Sequence, residues 1–141
     1  MLLNISFLAE HHTSVLVICK VLVSAFTAVL FIQTGLDKML DWRSNQDYLA
    51  SHFANTPLSE LVILLLPLIT IMELLAGFSG LIGIVRSLTG DDDFTFIGLA
   101  FGALSILSLF FGQRVAKNYD GAASLVPYFL VMLFGLFLVS L

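Results

Sequence analysis

Four apolar runs, at about 13–35, 61–85, 94–112 and 122–141, decide what this chain can fold into. Each is long enough to cross the hydrocarbon core of a bilayer, which takes about 20 mostly apolar residues in a helix. Lipid offers no water to stray backbone N–H and C=O groups, so an isolated crossing segment pairs them internally and is helical. Composition agrees: 59% of the 141 residues are hydrophobic and 11% charged, against about 45–50% and about 25% in an ordinary soluble domain. With a mean hydropathy of +1.03, the chain cannot cover itself with a wetted surface. The expected fold is all-α, an integral membrane four-helix up-down bundle forming one domain over 1–141, with no separate soluble enzyme domain.

The connections refine this picture. The longest polar stretch, 36–57, has a broken apolar face in Leu36, Met39, Leu40, Leu49 and Phe53, and it carries Trp42 and Tyr48, which favour headgroup level. One or two interfacial helices are expected there, ending at Asn55-Thr56-Pro57, with Pro57 opening the second span. Residues 1–12 read as another interfacial segment; they hold no Lys or Arg, and no cleaved leader is expected. Pro67 inside the second run predicts a kink, and Pro127 with Tyr128 is expected to open the fourth. Lys38, Arg43, Arg114 and Lys117 follow spans one and three, while only Arg86 lies on the opposite loop. The positive-inside rule then puts both termini on the outer side.

Several function classes are excluded. The net charge is −4 and no basic run exists to grip phosphates, so nucleic acid is not an expected partner. The single cysteine, Cys19, permits neither an intrachain disulfide nor a CxxC pair. His11, His12 and His52 all lie outside the apolar runs, so two intramembrane histidines for a haem are lacking. Adjacent histidines on a polar helix end, as in Glu10-His11-His12, are ordinarily solvated, and no metal site is expected. Asp91-Asp92-Asp93 suits the start of a helix, with Asp92 or Asp93 as N-cap.

The chemistry sits in the polar residues within the spans. Lys20, Ser24, Thr27, Phe31, Thr34 and Lys38 recur at steps of four and three, one stripe down the first helix that should face protein or water. In the second run Glu73 shares a face with Gly77 and Gly80, flanked by Gly83, and small residues let helices approach closely. Gly98 and Gly102 make a GxxxG pair for a neighbouring helix or a second copy. An ionised carboxylate facing lipid is costly, so Glu73 needs a partner, and Lys20 is the expected one. That pair reads either as a clamp fixing helix register or as a proton-carrying or ligand-binding carboxylate. Gln113 and Arg114, with Lys38 and Tyr128, supply donors for a lipid headgroup, a carboxylate or a quinone carbonyl.

Lys20, then TGLDKML at 34–40, then MELLAGFSGLIG at 72–83, in this order within four spans, resembles the DoxX family. Lys20, Gly35, Lys38, Glu73, Gly77, Gly80 and Gly83 carry the resemblance, which covers essentially the whole chain. It implies a small multi-pass protein of the bacterial inner membrane, associated with quinone-linked oxidation and membrane redox complexes. No intrinsic cofactor is expected; a quinone or bound lipid, held around Lys20, Glu73 and Gln113, would serve an accessory subunit without a catalytic constellation of its own. Two alternatives stand beside it, a non-catalytic assembly scaffold and a proton-linked carrier using Glu73. The expected partners are lipid and either another membrane protein or a second copy.

Overall fold

A computed structural model describes residues 2–141 in backbone and 4–141 in side chains. The element order is α1 (Leu2–Leu40), α2 (Trp42–His52), a single 3-10 turn at Ser59–Leu61, α3 (Val62–Leu88), α4 (Asp93–Val115) and α5 (Tyr119–Ser140). Helices α1, α3, α4 and α5 are each long and apolar enough to cross a membrane. They form an all-α bundle in which α1 packs on α3, α3 on α4 and α4 on α5, while α1 also touches α4 and α5 to close the ring. Large apolar side chains cover its outside, for example Ile63, Leu68, Ile71, Phe78 and Val85 on α3 and Leu130, Phe134 and Phe137 on α5. A soluble monomer does not expose apolar surface on that scale; lipid is the solvent it fits, and the chain is a multi-pass membrane protein.

Glycines set the helix register. A Cβ on Gly77 would lie 2.6 Å from the backbone nitrogen of Ile32, and one on Gly80 would lie 2.9 Å from the carbonyl oxygen of Ser24. Helices α1 and α3 therefore touch backbone to backbone and run antiparallel, with Gly35 facing Leu74 at one end and Ser24 facing Gly83 near the other. A Cβ on Gly98 would meet the Gly80 nitrogen at 2.9 Å and the Ala76 oxygen at 3.0 Å, locking α4 to α3. Gly102 leaves room for the Phe31 ring and the Met132 sulfur. The Gly98/Gly102 pair thus serves contacts within the chain. Phe31, Ala76, Leu99, Ile106 and Met132 form the apolar middle of the bundle.

Helix boundaries differ from expectation where local polarity is overridden by helix continuity. Residues 2–12 are not a separate segment but the first turns of α1, which runs unbroken for 39 residues, about 58 Å at about 1.5 Å per residue. At its other end α1 continues to Leu40, past the expected stop at 35. Only one further helix, α2, follows before the α3 span. Pro57 lies in the turn ahead of the 3-10 segment, so it does not open the second span. Pro127 falls inside α5, which begins eight residues earlier at Tyr119, capped by the Asn118 side chain accepting from the Gly121 N–H at 3.0 Å.

Candidate functional site

Two polar centres stand apart along the bundle, one at the end where α4 begins and one near the middle of α3, and their pairing differs from the sequence expectation. Lys20 and Glu73 do not meet. The α1–α3 register puts Glu73 level with Gly35, fifteen residues and so about 22 Å along the axis from Lys20. Lys20 instead donates to Asp92 Oδ2 at 2.7 Å. Ser87 Oγ donates to Asp92 Oδ1 at 2.8 Å and shares a 2.8 Å hydrogen bond with Thr95, whose hydroxyl also lies 2.8 Å from that of Ser24. This chain of hydroxyls ties α1, α3 and the start of α4 together. Asp92 is the N-cap residue of α4, but its side chain is turned to Lys20 and Ser87 and makes no cap bond. Asp91 takes over, with Oδ1 accepting from the Asp93 N–H at 3.0 Å. That bond, with the Arg86 guanidinium beside it, holds the Asp91 carboxyl below the usual carboxylate range.

Glu73 is answered by Lys38. The Lys38 Nζ lies 3.0 Å from Glu73 Oε1 and 2.9 Å from Oε2, with only the first in hydrogen-bond geometry. Two directional effects bring them together. Helical side chains lean toward the N-terminus of their own helix, so in antiparallel neighbours Lys38 and Glu73 lean toward each other. Lys38 folds back along α1 until its Nζ is 3.5 Å from the Thr34 carbonyl oxygen. The Glu73 carboxylate is nearly sealed, its side chain 2% exposed against 18% for Lys38.

Lys38 also lines a cleft of about 780 Å³ between α2, α3 and α4. One side of the cleft is apolar, built from Leu65, Leu68 and Ile69 of α3 and Leu107 and Phe111 of α4. Asn45, Tyr48 and His52 of α2 and Gln113 of α4 bring polar groups to the lining. The His52 Nε2 is 2.9 Å from Gln113 Oε1, and the His52 ring stacks on Tyr48 with centroids 5.4 Å apart. Gly112 makes room for the neighbouring Phe53 ring, 3.2 Å from where a Cβ would be. The α2 helix buries none of its own residues, so these two contacts fasten its end over the cleft.

Of the candidate ligand-binding residues, Lys38 and Gln113 both line this cleft, and Glu73 adjoins it through Lys38. Arg114 does not join them; its guanidinium covers the Tyr119 ring at 4.6 Å. Tyr128 is exposed on α5 against Phe26, ring centroids 6.3 Å apart, and Lys20 is at the far end. His52 and Tyr48 are cleft residues that the sequence reading missed. Their signal was present: Asn45, Tyr48, Leu49 and His52 stand at i, i+3, i+4 and i+7, one face of a helix. Among the described residues no three His, Cys, Asp or Glu side chains stand together as a metal site would need. Comparison with known proteins returned no matching family model, curated protein or solved structure.

Proposed function

We propose that this chain is a DoxX-like accessory or anchoring subunit of a quinone-linked redox complex in the bacterial inner membrane, with both termini on the outer side. The cleft is the quinone or lipid site in this reading. One observation carries it: an apolar-walled cleft is also lined by side chains able to donate to a carbonyl, namely Lys38, Tyr48, His52 and Gln113. Ligand sites typically combine an apolar lining with a few polar groups that orient the head. The pocket envisaged around Lys20, Glu73 and Gln113 is thereby relocated to Lys38, His52 and Gln113. The scaffold alternative is served by the glycine contacts alone and leaves the cleft without a role. The carrier alternative needs a polar path, whereas Phe31, Leu99 and Met132 fill the middle of the bundle.

Purification in a gentle detergent, followed by extraction and cofactor analysis of what co-purifies, tests this. The expected result is a quinone together with a redox partner, and at least a several-fold loss of the quinone in a His52→Leu, Gln113→Leu double variant. Recovery of the chain alone and colourless, free of quinone, would count against the proposal.

A further inference from the structure

Among the described residues, two buried side-chain oxygens are left without a hydrogen bond, Ser105 Oγ and Glu73 Oε2, the latter held only by its ion pair with Lys38. Register puts them at one level. Gly98 of α4 meets Gly80 of α3; Ser105 lies seven residues beyond Gly98 and Glu73 seven residues before Gly80. Seven residues are close to two full turns, and the helices are antiparallel, so Ser105 faces α3 at Glu73 as Gly98 faces it at Gly80. The hydroxyl is fully buried, 0% exposed.

Lys38 is the sole charged side chain among the described residues lining the cleft, and no acid lines it. Its counter-ion, Glu73, is held behind it and away from the cleft. With His52 protonated on Nε2, Gln113 Oε1 accepts that proton's hydrogen bond and the Gln113 amide nitrogen is free to donate. The cleft therefore holds one ammonium with no carboxylate of its own lining, and His52 and Gln113 add donors farther along toward α2.

We propose that the cleft binds an anionic single-chain amphiphile by ion exchange, its headgroup taking the Lys38 ammonium from Glu73 while Glu73 takes up one proton. The Lys38–Glu73 ion pair breaks, a Lys38–headgroup ion pair forms, and the proton comes from water. Lys38 keeps its charge throughout. A buried carboxylate stripped of its counter-ion is too costly to stay ionised, and the neutral acid has an O–H to donate. Ser105 Oγ, unpartnered at that level, is the acceptor assigned to it once release from Lys38 lets the Glu73 side chain turn toward α4. Other titratable groups on the packed elements are separable: His52 and Tyr48 of α2 face the cleft, while Asp37, Asp41, Asp47 and Glu60 are exposed. Arg114 is stacked on Tyr119.

The inference uses the same cleft but needs no quinone and no redox partner. The probe is a long-chain alkyl sulfonate, ionised at every pH used, titrated into the full chain in nanodiscs. Calorimetry in two buffers of different ionisation enthalpy should show one proton taken up per sulfonate, with Kd rising about tenfold per pH unit. Glu73→Gln should bind the sulfonate without proton uptake, whereas His52→Gln, at whatever affinity it binds, should keep one proton taken up per sulfonate bound. Ser105→Ala should weaken binding about 2- to 10-fold, one hydrogen bond's worth, with uptake unchanged. Sulfonate binding without proton uptake in the unaltered chain overturns the proposal, as does uptake that persists in Glu73→Gln or disappears in His52→Gln. Failure of the sulfonate to bind also overturns it. Should Glu73→Gln not fold, the two-buffer measurement and the Ser105→Ala and His52→Gln variants still decide. A chain that carries quinone yet ignores the sulfonate loses this inference and keeps the function proposed above.

Discussion

Glu73 is the residue on which most of the interior depends, because a nearly sealed carboxylate is tolerable only beside its cation. Removing one member of a buried ion pair typically costs about 3–5 kcal/mol, whereas replacing both with apolar groups of similar volume is close to neutral. Lys38→Ala is therefore expected to lower the thermal unfolding midpoint in detergent sharply, and Lys38→Met combined with Glu73→Leu to recover most of the loss. A single variant as stable as the parent would show that Glu73 does not depend on Lys38. The sequence stripe from Lys20 to Lys38 already placed both lysines on the inward face. Choosing between them required the axial level of Glu73, and that level is set by Gly77 and Gly80 against Phe31, Ser24 and Ala28, contacts between residues far apart in the chain. The right partner for Lys20 was more accessible: the positive-inside assignment puts Lys20 and the Asp91-Asp92-Asp93 run at the same end.

Among the elements, α2 behaves as a strap. It buries none of its residues and is fastened at its C-terminal end by the His52–Gln113 hydrogen bond and by Phe53 seated on Gly112. Segments with few buried contacts open locally at a free-energy cost well below that of global unfolding. His52→Ala should speed amide hydrogen exchange over 42–56 while leaving α3 and α4 protected, as followed by mass spectrometry in detergent. Equal exchange in parent and variant would mean that the His52 bond does not hold the strap. From sequence, an interfacial helix in this region was legible through Trp42, Tyr48 and its polarity. Its role over a cleft was not, since the other wall comes from residues 65–69 and 107–113.

At the scale of the whole molecule, the parallel register of α1 and α4, seen in Lys20 on Asp92 and Ser24 on Thr95, brings the links after both helices to one end of the bundle. Lys38, Arg43, Arg114 and Lys117 thus share a face, with Arg86 at the other end. That arrangement carries an orientation prediction. In a background with Cys19 replaced, Asn118→Cys should be labelled by a membrane-impermeant maleimide only after inside-out vesicles are made. Thr89→Cys should be labelled in intact spheroplasts. The reverse pattern would invert the proposed topology and place the cleft on the outer side.

The sequence by itself determined the solvent, the fold class and the number of crossings. Length and apolarity of a run are local properties, and lipid leaves a spanning backbone little choice but a helix. It also marked which faces turn inward, because a helix repeats every 3.6 residues and polar or small residues on that period betray the packed side. Only the tertiary structure decided which cation answers which acid, that α1 continues through its polar ends, and that α2 roofs a cleft. Each of those depends on how far one helix slides along another. That sliding is settled by backbone-to-backbone contacts at glycines, whose partners in space no local pattern names.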